Sequence, residues 1–426
     1  MEKFIIEGGK VLNGRIRPGG SKNEVLPVLA ATLLSDKTSV IQNIPRIADI
    51  FVLIKILEHL GAEVIWQNEH TLAVTPKGFN GSDLPLDLCR SLRASILLAG
   101  PLLARFGSVI LPPPGGDVIG RRRLDTHFLG FSALGARVHF DEVFRVQAKK
   151  LVGADIFLDE PSVTGTENII MAAVLAAGTT VIHNAACEPH VQGLCRMLLA
   201  MGARISGIGS NCLTIVGVTE LGGCEHRIGS DYLEIGSYVG LAAMTQSELI
   251  IEDVQFADMR MIQMVMTKLG IAFELQGTTL TVKPHHELRM QADFLGQIPQ
   301  IADGPWPMFP TDMMSIVITV ATQAVGTVIF FEKMFDGRMF FVDSLVAMGA
   351  KIIMCDPHRV VVTGPAQLYG STLESPDVRA GMALVLAALA AKGKSTIYNI
   401  RHIDRGYEKV ETKLQRLGAR IERLKE

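Results

Sequence analysis

A five-residue signature recurs six times along the 426-residue chain: LGAEV at 60–64, LGARV at 134–138, MGARI at 201–205, LGIAF at 269–273, MGAKI at 348–352 and LGARI at 417–421. Its glycines (Gly61, Gly135, Gly202, Gly270, Gly349, Gly418) follow one another at intervals of 67 to 79 residues. A period this long and this steady means one supersecondary unit used six times over. Each glycine closes an apolar-periodic segment such as IFVLIKILEHL or VETKLQRL. There the chain leaves a helix through a left-handed residue. Two short strand-like runs follow, the second visible as TLAV at 71–74, CLTIV at 212–216, TLTV at 279–282 and RVVV at 359–362.

Upstream of each amphipathic segment lies a β-branched run: SVIQNI, GSVILP, GTTVIHNA, SELIIEDV, GTVIFFEK and KSTIYNI. Ahead of that run comes a segment apolar on almost every face: NEVLPVLAATLL, RASILLAGPLLA, ENIIMAAVLAA, EIGSYVGLAAM, DMMSIVITVATQAV and RAGMALVLAALAA. A helix apolar all round must be buried, whereas its amphipathic partner lies at a surface. The unit is therefore βαβαββ and the class α/β. One buried and one surface helix per unit favours three units packed about three inner helices. Six units make two such domains, which agrees with roughly 150 residues per domain.

Composition narrows the function. Lys plus Arg total 41 against 43 Asp plus Glu, so the net charge of −2 excludes a polyanion-coating protein. The opening MEKFIIEGG has neither the basic nor the apolar region of an export signal, so an unexported, cytoplasmic chain is expected. The apolar stretch 315–331 is interrupted by Thr319, Thr322, Gln323 and Gly326, and it falls in register with the buried helix and strand of the other repeats. No membrane segment is expected. Six cysteines without a C-x-x-C pair point to a reduced compartment. Eleven histidines without an H-x-x-x-H or H-x-E cluster give no reason to expect a metal.

Charge gathers where the buried helices begin: SKNE (21–24), SLRAS (91–95), SVTGTEN (162–168), SDYLEIG (230–236), PTDMM (310–314) and SPDVRAG (375–381). Ordinary capping accounts for part of this. Ser21, Thr311 and Ser375 suit N-cap positions, and Asp312 or Asp377 complements the helix dipole. Lys22, Arg93 and Arg379 do not fit, because a cation is disfavoured at a helix N-terminus. They make sense if an anion binds among them. The segment LPPPGGDVIGRRRLDTH (111–127) is the most unusual loop, with Asp117 behind three prolines and two glycines and ahead of Arg121–Arg123. It reads as a lid or binding loop, or as a solvated turn. No aromatic interleaving supports nucleic-acid binding.

Lys22-Asn23, SLRAS, GGDVIGRR, FPTDM (309–313), PDVRA (376–380) and HIDRGYE (402–408) together resemble the UDP-N-acetylglucosamine 1-carboxyvinyltransferase (UDP-GlcNAc enolpyruvyl transferase) family, over essentially the whole chain. The related enolpyruvylshikimate-phosphate synthases share the six-unit architecture. Their N-A-G-T-A-x-R segment is replaced here by SLRAS, which argues against the shikimate enzyme. The resemblance implies a two-domain inside-out α/β barrel of six βαβαββ repeats. It also implies transfer of the enolpyruvyl group of phosphoenolpyruvate to the 3-hydroxyl of UDP-GlcNAc with release of phosphate, the first committed step of peptidoglycan synthesis. No cofactor is implied. The partners are the two small-molecule substrates, for a monomer or weak homo-oligomer.

By position, Lys22, Asn23, Arg122 and Arg405 match the family's phosphoenolpyruvate ligands, and Arg379 is a further candidate for an anion. Asn23, Arg93, Arg122, Arg123, Leu124, Asp125, Thr126, Ser162, Val163, Thr164, Asp312 and Met334 match positions that line the sugar nucleotide. The implied catalytic set is Asp117, Asp312, Lys22 and Arg405, with Asp312 taking the hydroxyl proton. Asp117 stands where most members carry the cysteine that acts as general acid and is alkylated by fosfomycin. A carboxylic acid can deliver the same proton if its pKa is raised. It forms no stable thioether, so an active, fosfomycin-resistant enzyme is expected. Arg123 replaces a common proline, and Thr164-Gly165 a common Gly-Ala.

Repeats and resemblance together divide the chain into 22–229, with the catalytic loop 111–123, and 1–21 plus 230–426. The acid and the base then fall on different domains, which are expected to close over the substrates. Two other readings stay compatible with the residues. One is transfer to another acceptor such as a free nucleotide; the other is a silent paralogue that only binds the sugar nucleotide.

Overall fold

The computed structural model describes residues 2–78, 84–116, 119–285 and 287–425. Among the described residues the strands form six sheets, five of four strands and one of three. The third repeat displays the plan. Asp155–Phe157 leads into the buried helix Val163–Ala173, which returns the chain to Thr179–His183, parallel to the first strand. The surface helix Pro189–Ala200 follows, and then the hairpin Arg204–Ser206 and Cys212–Val216. Cys212–Val216 runs antiparallel to both of its neighbours. A parallel pair needs a crossover, and the apolar helix supplies it.

The recurring signature is a helix stop. All six glycines have φ between 88° and 104°. At each, the glycine N–H donates to the carbonyl three residues back, and the next residue's N–H to the carbonyl five back, as in Gly61 to Glu58 (2.9 Å) and Ala62 to Leu57 (3.0 Å). This double closure satisfies the last carbonyls of the surface helix and needs a left-handed residue, which glycine adopts without strain. The following residue, alanine at five of the six sites, is buried against the end of the helix.

The chain divides into two compact units, one of Gly20–Asp117 and Arg122–Gly229, the other of Met1–Gly19, Val118–Arg121 and Ser230–Glu426. Each has its own apolar core. In the second, the helices Tyr232–Met244, Met314–Ala321 and Val378–Ala390 pack on one another, and every residue of the first two is buried. In the first, the corresponding elements are Lys22–Ala31, the 3-10 segment Arg93–Leu98 with Ala99–Phe106, and Val163–Ala173. Near the split in the second repeat the Gly100 N–H donates to Asn168 Oδ1 at 2.8 Å, an approach that the missing Cβ allows.

Both units are closed by strands from remote parts of the chain. Glu225–Arg227 adds in parallel to Ser39–Gln42 of the first repeat, and Asn13–Ile16 in parallel to Glu248–Ile251 of the fourth. Glu2–Glu7 lies between Lys394–Tyr398 and Arg420–Lys425, antiparallel to both. The backbone is paired at these junctions too: Ser21 N–H donates to Gly229 C=O at 2.8 Å, and Asp231 N–H to Gly19 C=O at 2.9 Å. No helix among the described residues is long and apolar enough to cross a membrane.

Gly240 lets the inner helices of its unit approach closely. A Cβ there would meet Ile316 Cγ2 at 2.9 Å, Val320 Cγ2 at 3.1 Å and Leu386 Cδ2 at 3.3 Å. Gly240→Val is predicted to overpack this contact at a cost of about 1–3 kcal/mol, read as a lower urea midpoint for unfolding.

Candidate active site

In the unit that holds residues 230–426, the carboxylate of Asp312 is the centre of a polar cluster at the start of a buried helix. Asp312 sits in the 3-10 turn Thr311–Met313 that leads into Met314–Ala321. Arg338 Nη2 donates to its Oδ1 at 2.8 Å, and Arg379 Nε to its Oδ2 at 3.1 Å. Both guanidinium groups are 5 % exposed, while Asp312 is 26 % exposed. Arg379 also donates from Nη1 to the Tyr407 hydroxyl at 3.3 Å, lies 5.5 Å from that ring's centroid, and Tyr407 in turn meets Ser237 Oγ at 3.0 Å. Burial alone pulls the Arg379 pKa down, but Tyr407, Asp312 and Asp231 more than offset it and hold the guanidinium charged.

Capping follows a different set of residues from the expected one. Asp377 caps Val378–Ala390, its Oδ1 accepting from Arg379 N at 2.7 Å and Ala380 N at 2.9 Å. Asp231 caps Tyr232–Met244 in the same way. Thr311 and Ser375, which look like caps in sequence, turn elsewhere: Thr311 Oγ1 donates to Glu332, and Ser375 Oγ to the Asp377 carbonyl. Ser21 occupies the N-cap of Lys22–Ala31 without a side-chain cap bond. Arg379 therefore sits in a first turn where Asp377 accepts its own N–H and that of Ala380, and its charge faces Asp312 and Asp231.

Arg405 ends the 3-10 segment Ile400–Arg405 and is half-buried. Its neighbour Asp404 is gripped by Arg423 through two bonds, Nη1 to Oδ2 at 2.9 Å and Nη2 to Oδ1 at 2.6 Å. Arg423 also donates to Glu411 at 3.0 Å and to Glu2 at 2.9 Å, so the last strand braces the segment that carries Arg405. Met334 is partly exposed, and its N–H donates to Glu332 Oε1 at 3.0 Å.

The other unit gathers cations. Lys22, the first residue of its helix, places Nζ 2.6 Å from Asp49 Oδ2 with both side chains mostly buried; Asn23 beside it is half-buried. Glu24 fixes this helix start by accepting from His226 Nε2 at 2.9 Å and from Gly229 N at 3.1 Å. Arg93 Nη2 donates to the Arg122 carbonyl at 2.9 Å. Burial, then the charge of Arg122, pushes the Arg93 pKa down to about 10. A Cβ on Gly116 would approach both Arg93 and Arg122, so the glycine leaves space beside two like charges. Two guanidinium groups side by side are suited to an anion.

Arg123 is held by two carboxylates, Nε to Asp125 Oδ2 at 3.1 Å and Nη2 to Asp159 Oδ2 at 2.9 Å. Thr126 Oγ1 donates to Asp159 Oδ1 at 2.8 Å. Leu124 is the N-cap residue of helix Asp125–Ala133. Ser162 caps Val163–Ala173 by accepting from Gly165 N at 3.3 Å. Thr164 Oγ1 lies 3.1 Å from His127 Nε2, whose Nδ1 meets Asn168 Nδ2 at 2.9 Å. Burial, then Arg93, pushes the His127 pKa down to about 3, so the ring is neutral. Since Asn168 donates to Nδ1, the proton is on Nε2 and points to Thr164. Asp117 lies outside the described residues. Within the loop around it, Gly337 N–H donates to the Ile119 carbonyl at 3.1 Å, in the unit to which residues 119–121 belong.

Local sequence signals reach Asp312, Arg379, Lys22 and Arg93 but not their partners. Asp49, Arg338 and Arg423 sit on ordinary-looking segments, whereas His127, Asn168 and Tyr407 lie within segments that stand out while carrying no signal of their own.

A family model described as EPSP synthase (3-phosphoshikimate 1-carboxyvinyltransferase) matches residues 6–414. The chain is 55% identical over 422 residues to a UDP-N-acetylglucosamine 1-carboxyvinyltransferase of Treponema denticola, covering 99% of each chain. It is 51% identical over 424 residues to the Bradyrhizobium diazoefficiens protein of that name, covering 100% of this chain and 98% of that one. Among solved structures it is similar to the enolpyruvyl transferase NikO from Streptomyces tendae, with a TM-score of 0.88 at 22% identity over 99% of this chain and 98% of that one. It is also similar to EPSP synthase from Acinetobacter baumannii, with a TM-score of 0.77 at 17% identity over 100% of both chains. These two likenesses concern the fold.

His127 yields a pH prediction. Its folded pKa lies below the ordinary value of 6.5, so the unfolded chain binds the extra proton. Its share of stability is intact above that value and is lost as pH falls toward about 3, by up to about 1.4 kcal/mol per pH unit. His127→Gln is predicted to remove that share of the acid loss, measured as urea unfolding free energy from neutral pH downward.

Proposed function

This chain belongs to the UDP-N-acetylglucosamine 1-carboxyvinyltransferases, within the EPSP synthase family, and we propose on that premise how its residues divide the work. The reaction transfers the enolpyruvyl group of phosphoenolpyruvate to the 3-hydroxyl of UDP-GlcNAc and releases phosphate, a step of peptidoglycan synthesis. The observation that supports the division best is Asp312, a partly exposed carboxylate held from behind by two buried guanidinium groups.

In this reading Asp312 removes the proton of the sugar hydroxyl as the oxygen attacks C2 of phosphoenolpyruvate. Arg338 and Arg379 fix both of its oxygens, so the base is oriented before substrate arrives. Asp117 delivers a proton to the methylene carbon, which gives a tetrahedral ketal. Loss of phosphate, with a proton returned from the methyl group, then forms the enol ether. Lys22, Arg122 and Arg405 bind the phosphate and carboxylate of phosphoenolpyruvate and stabilise charge as phosphate departs. Asn23, Arg93, Arg123, Leu124, Asp125, Thr126, Ser162, Val163, Thr164 and Met334 contact the sugar nucleotide. The neutral His127 supports this by presenting its Nε2 proton to Thr164. In this reading the enzyme works in the cytoplasm as a monomer or weak homo-oligomer.

Phosphate release from phosphoenolpyruvate in the presence of UDP-GlcNAc tests the assignment. UDP-GlcNAc-dependent release is expected, and its absence would remove the reading. Asp312→Asn is predicted to lower kcat by about 10²–10⁴-fold, the usual worth of a general base, with a smaller change in the KM of UDP-GlcNAc. Fosfomycin is predicted to leave activity intact and to add no mass to the protein, since Asp117 offers no thiol. A stoichiometric adduct by mass spectrometry would contradict that.

A further inference from the structure

Behind Asp312 lies a second tier of carboxyl groups. Asp303 and Glu332 are both completely buried. They follow directly on the strands Gln300–Ala302 and Gly326–Phe331, which pair in parallel with Ala302 opposite Phe331, so the two side chains leave the sheet as neighbours. Asp303 Oδ1 accepts from Lys333 N at 2.6 Å, while its Oδ2 is buried with no donor. Glu332 lies within hydrogen-bonding reach of Asp303. Its Oε1 already accepts the N–H groups of Met334 and Phe335, each at 3.0 Å. A proton on Oε2 would give the orphaned Asp303 oxygen its donor, and no other group supplies one among the described residues.

The same carboxyl holds both sides of the Asp312–Arg338 bond. Thr311, next to Asp312, donates its hydroxyl to Glu332 Oε2 at 2.8 Å. The N–H groups of Met334 and Phe335 open the turn that carries Arg338, whose Nη2 reaches Asp312 at 2.8 Å. We propose that Asp303 and Glu332 share one proton and serve as the positioning pair for Asp312, and that loss of this proton sets an alkaline limit to the transfer reaction. The proposal rests on the transferase reading above. Neither residue contacts the reacting atoms; they act through Thr311 and the Met334–Arg338 turn.

The surroundings favour a single shared proton. Burial first, then Asp303, pushes the Glu332 pKa up to about 8, against the opposing effects of Arg338 and Thr311. Arg338 faces Glu332 as well as Asp312 and Asp377, with Arg379 opposing it, so one guanidinium is spread over several carboxyl groups. His358 touches the main chain of Glu332 instead of its carboxyl: Nδ1 lies 2.7 Å from the Glu332 carbonyl, and the His358 carbonyl accepts Glu332 N–H at 2.8 Å. Once the shared proton leaves, two fully buried anions face each other. They separate, and Thr311 and the turn move with them.

The test compares wild type with Asp303→Asn and Glu332→Gln by phosphate release and, without substrates, by thermal unfolding from pH 5 to 10. A raised acid in the folded state costs stability progressively from the ordinary carboxylate range up to about 8 and no further. Wild-type Tm is expected to fall through that window and then level, and its kcat to fall about tenfold per pH unit above it. Asp303→Asn, which removes the second charge, is expected to bring the Glu332 pKa down, flatten the Tm decline and remove the kcat limb near 8, because a lone Glu332 anion has no second anion to repel it. Glu332→Gln is expected to abolish both dependences. Identical kcat limbs in wild type and Asp303→Asn would overturn the proposal, whatever the Tm profiles show. Failure of wild type to release phosphate would overturn the transferase reading and the pair's role in it, while the Tm profiles would still report the shared proton.

Discussion

Burial of three apolar helices in each unit is the constraint on which the remaining structure depends. Helices such as Tyr232–Met244, with no exposed face, can only lie at a centre, so the sheets and the amphipathic helices must lie outside them. Parallel strands on either side of each buried helix follow from that, because the helix is the crossover. So does the stop at every surface helix, where the chain must reverse within two residues to begin the outer hairpin. The left-handed glycine performs this six times with the same pair of backbone bonds.

Buried helices also create an electrostatic demand. Each presents unpaired N–H groups and a positive dipole at its start, and the chain meets this differently in its two units. Around Asp312 the charges are already balanced: Asp231 and Asp377 cap, while Arg338 and Arg379 are matched by Asp312. That arrangement suits a base that must be oriented in the absence of substrate. Around Arg93 and Arg122 two cations lie side by side, and burial, then the Arg122 charge, depresses the Arg93 pKa. That arrangement suits ligands which bring negative charge with them. A carboxyl pair behind the base, with Glu332 bracing both Thr311 and the turn to Arg338, extends the same logic to a layer that no substrate touches.

Much of the repeat was legible because its determinants are local. The apolar pattern and the helix stop each occupy one short segment, and the stop recurs every 67 to 79 residues. Thr311 and Ser375 show the limit of such reading. Both look like helix caps, yet a carboxyl and a carbonyl from other segments attract their hydroxyls, and Asp377 caps in place of Ser375. Asp312 and Arg379 each stand out locally as charge at a helix start. That they meet at 3.1 Å across 67 residues of sequence is a property of helix packing alone. Arg338 and Asp303 carry no local signal at all, since an arginine in a turn and an aspartate after a strand are commonplace.

The sequence by itself determined the unit, its six-fold repetition, the inner and outer helices and the positions where charge is out of place. These depend on side-chain polarity and backbone preference over short stretches, which act before the chain is compact. Only the tertiary structure decided which charges neutralise one another, which carboxyl is left without a donor, and which remote strands close each unit. Those outcomes depend on distances of about 3 Å between residues far apart in the chain, where hydrogen-bond strength falls steeply with geometry.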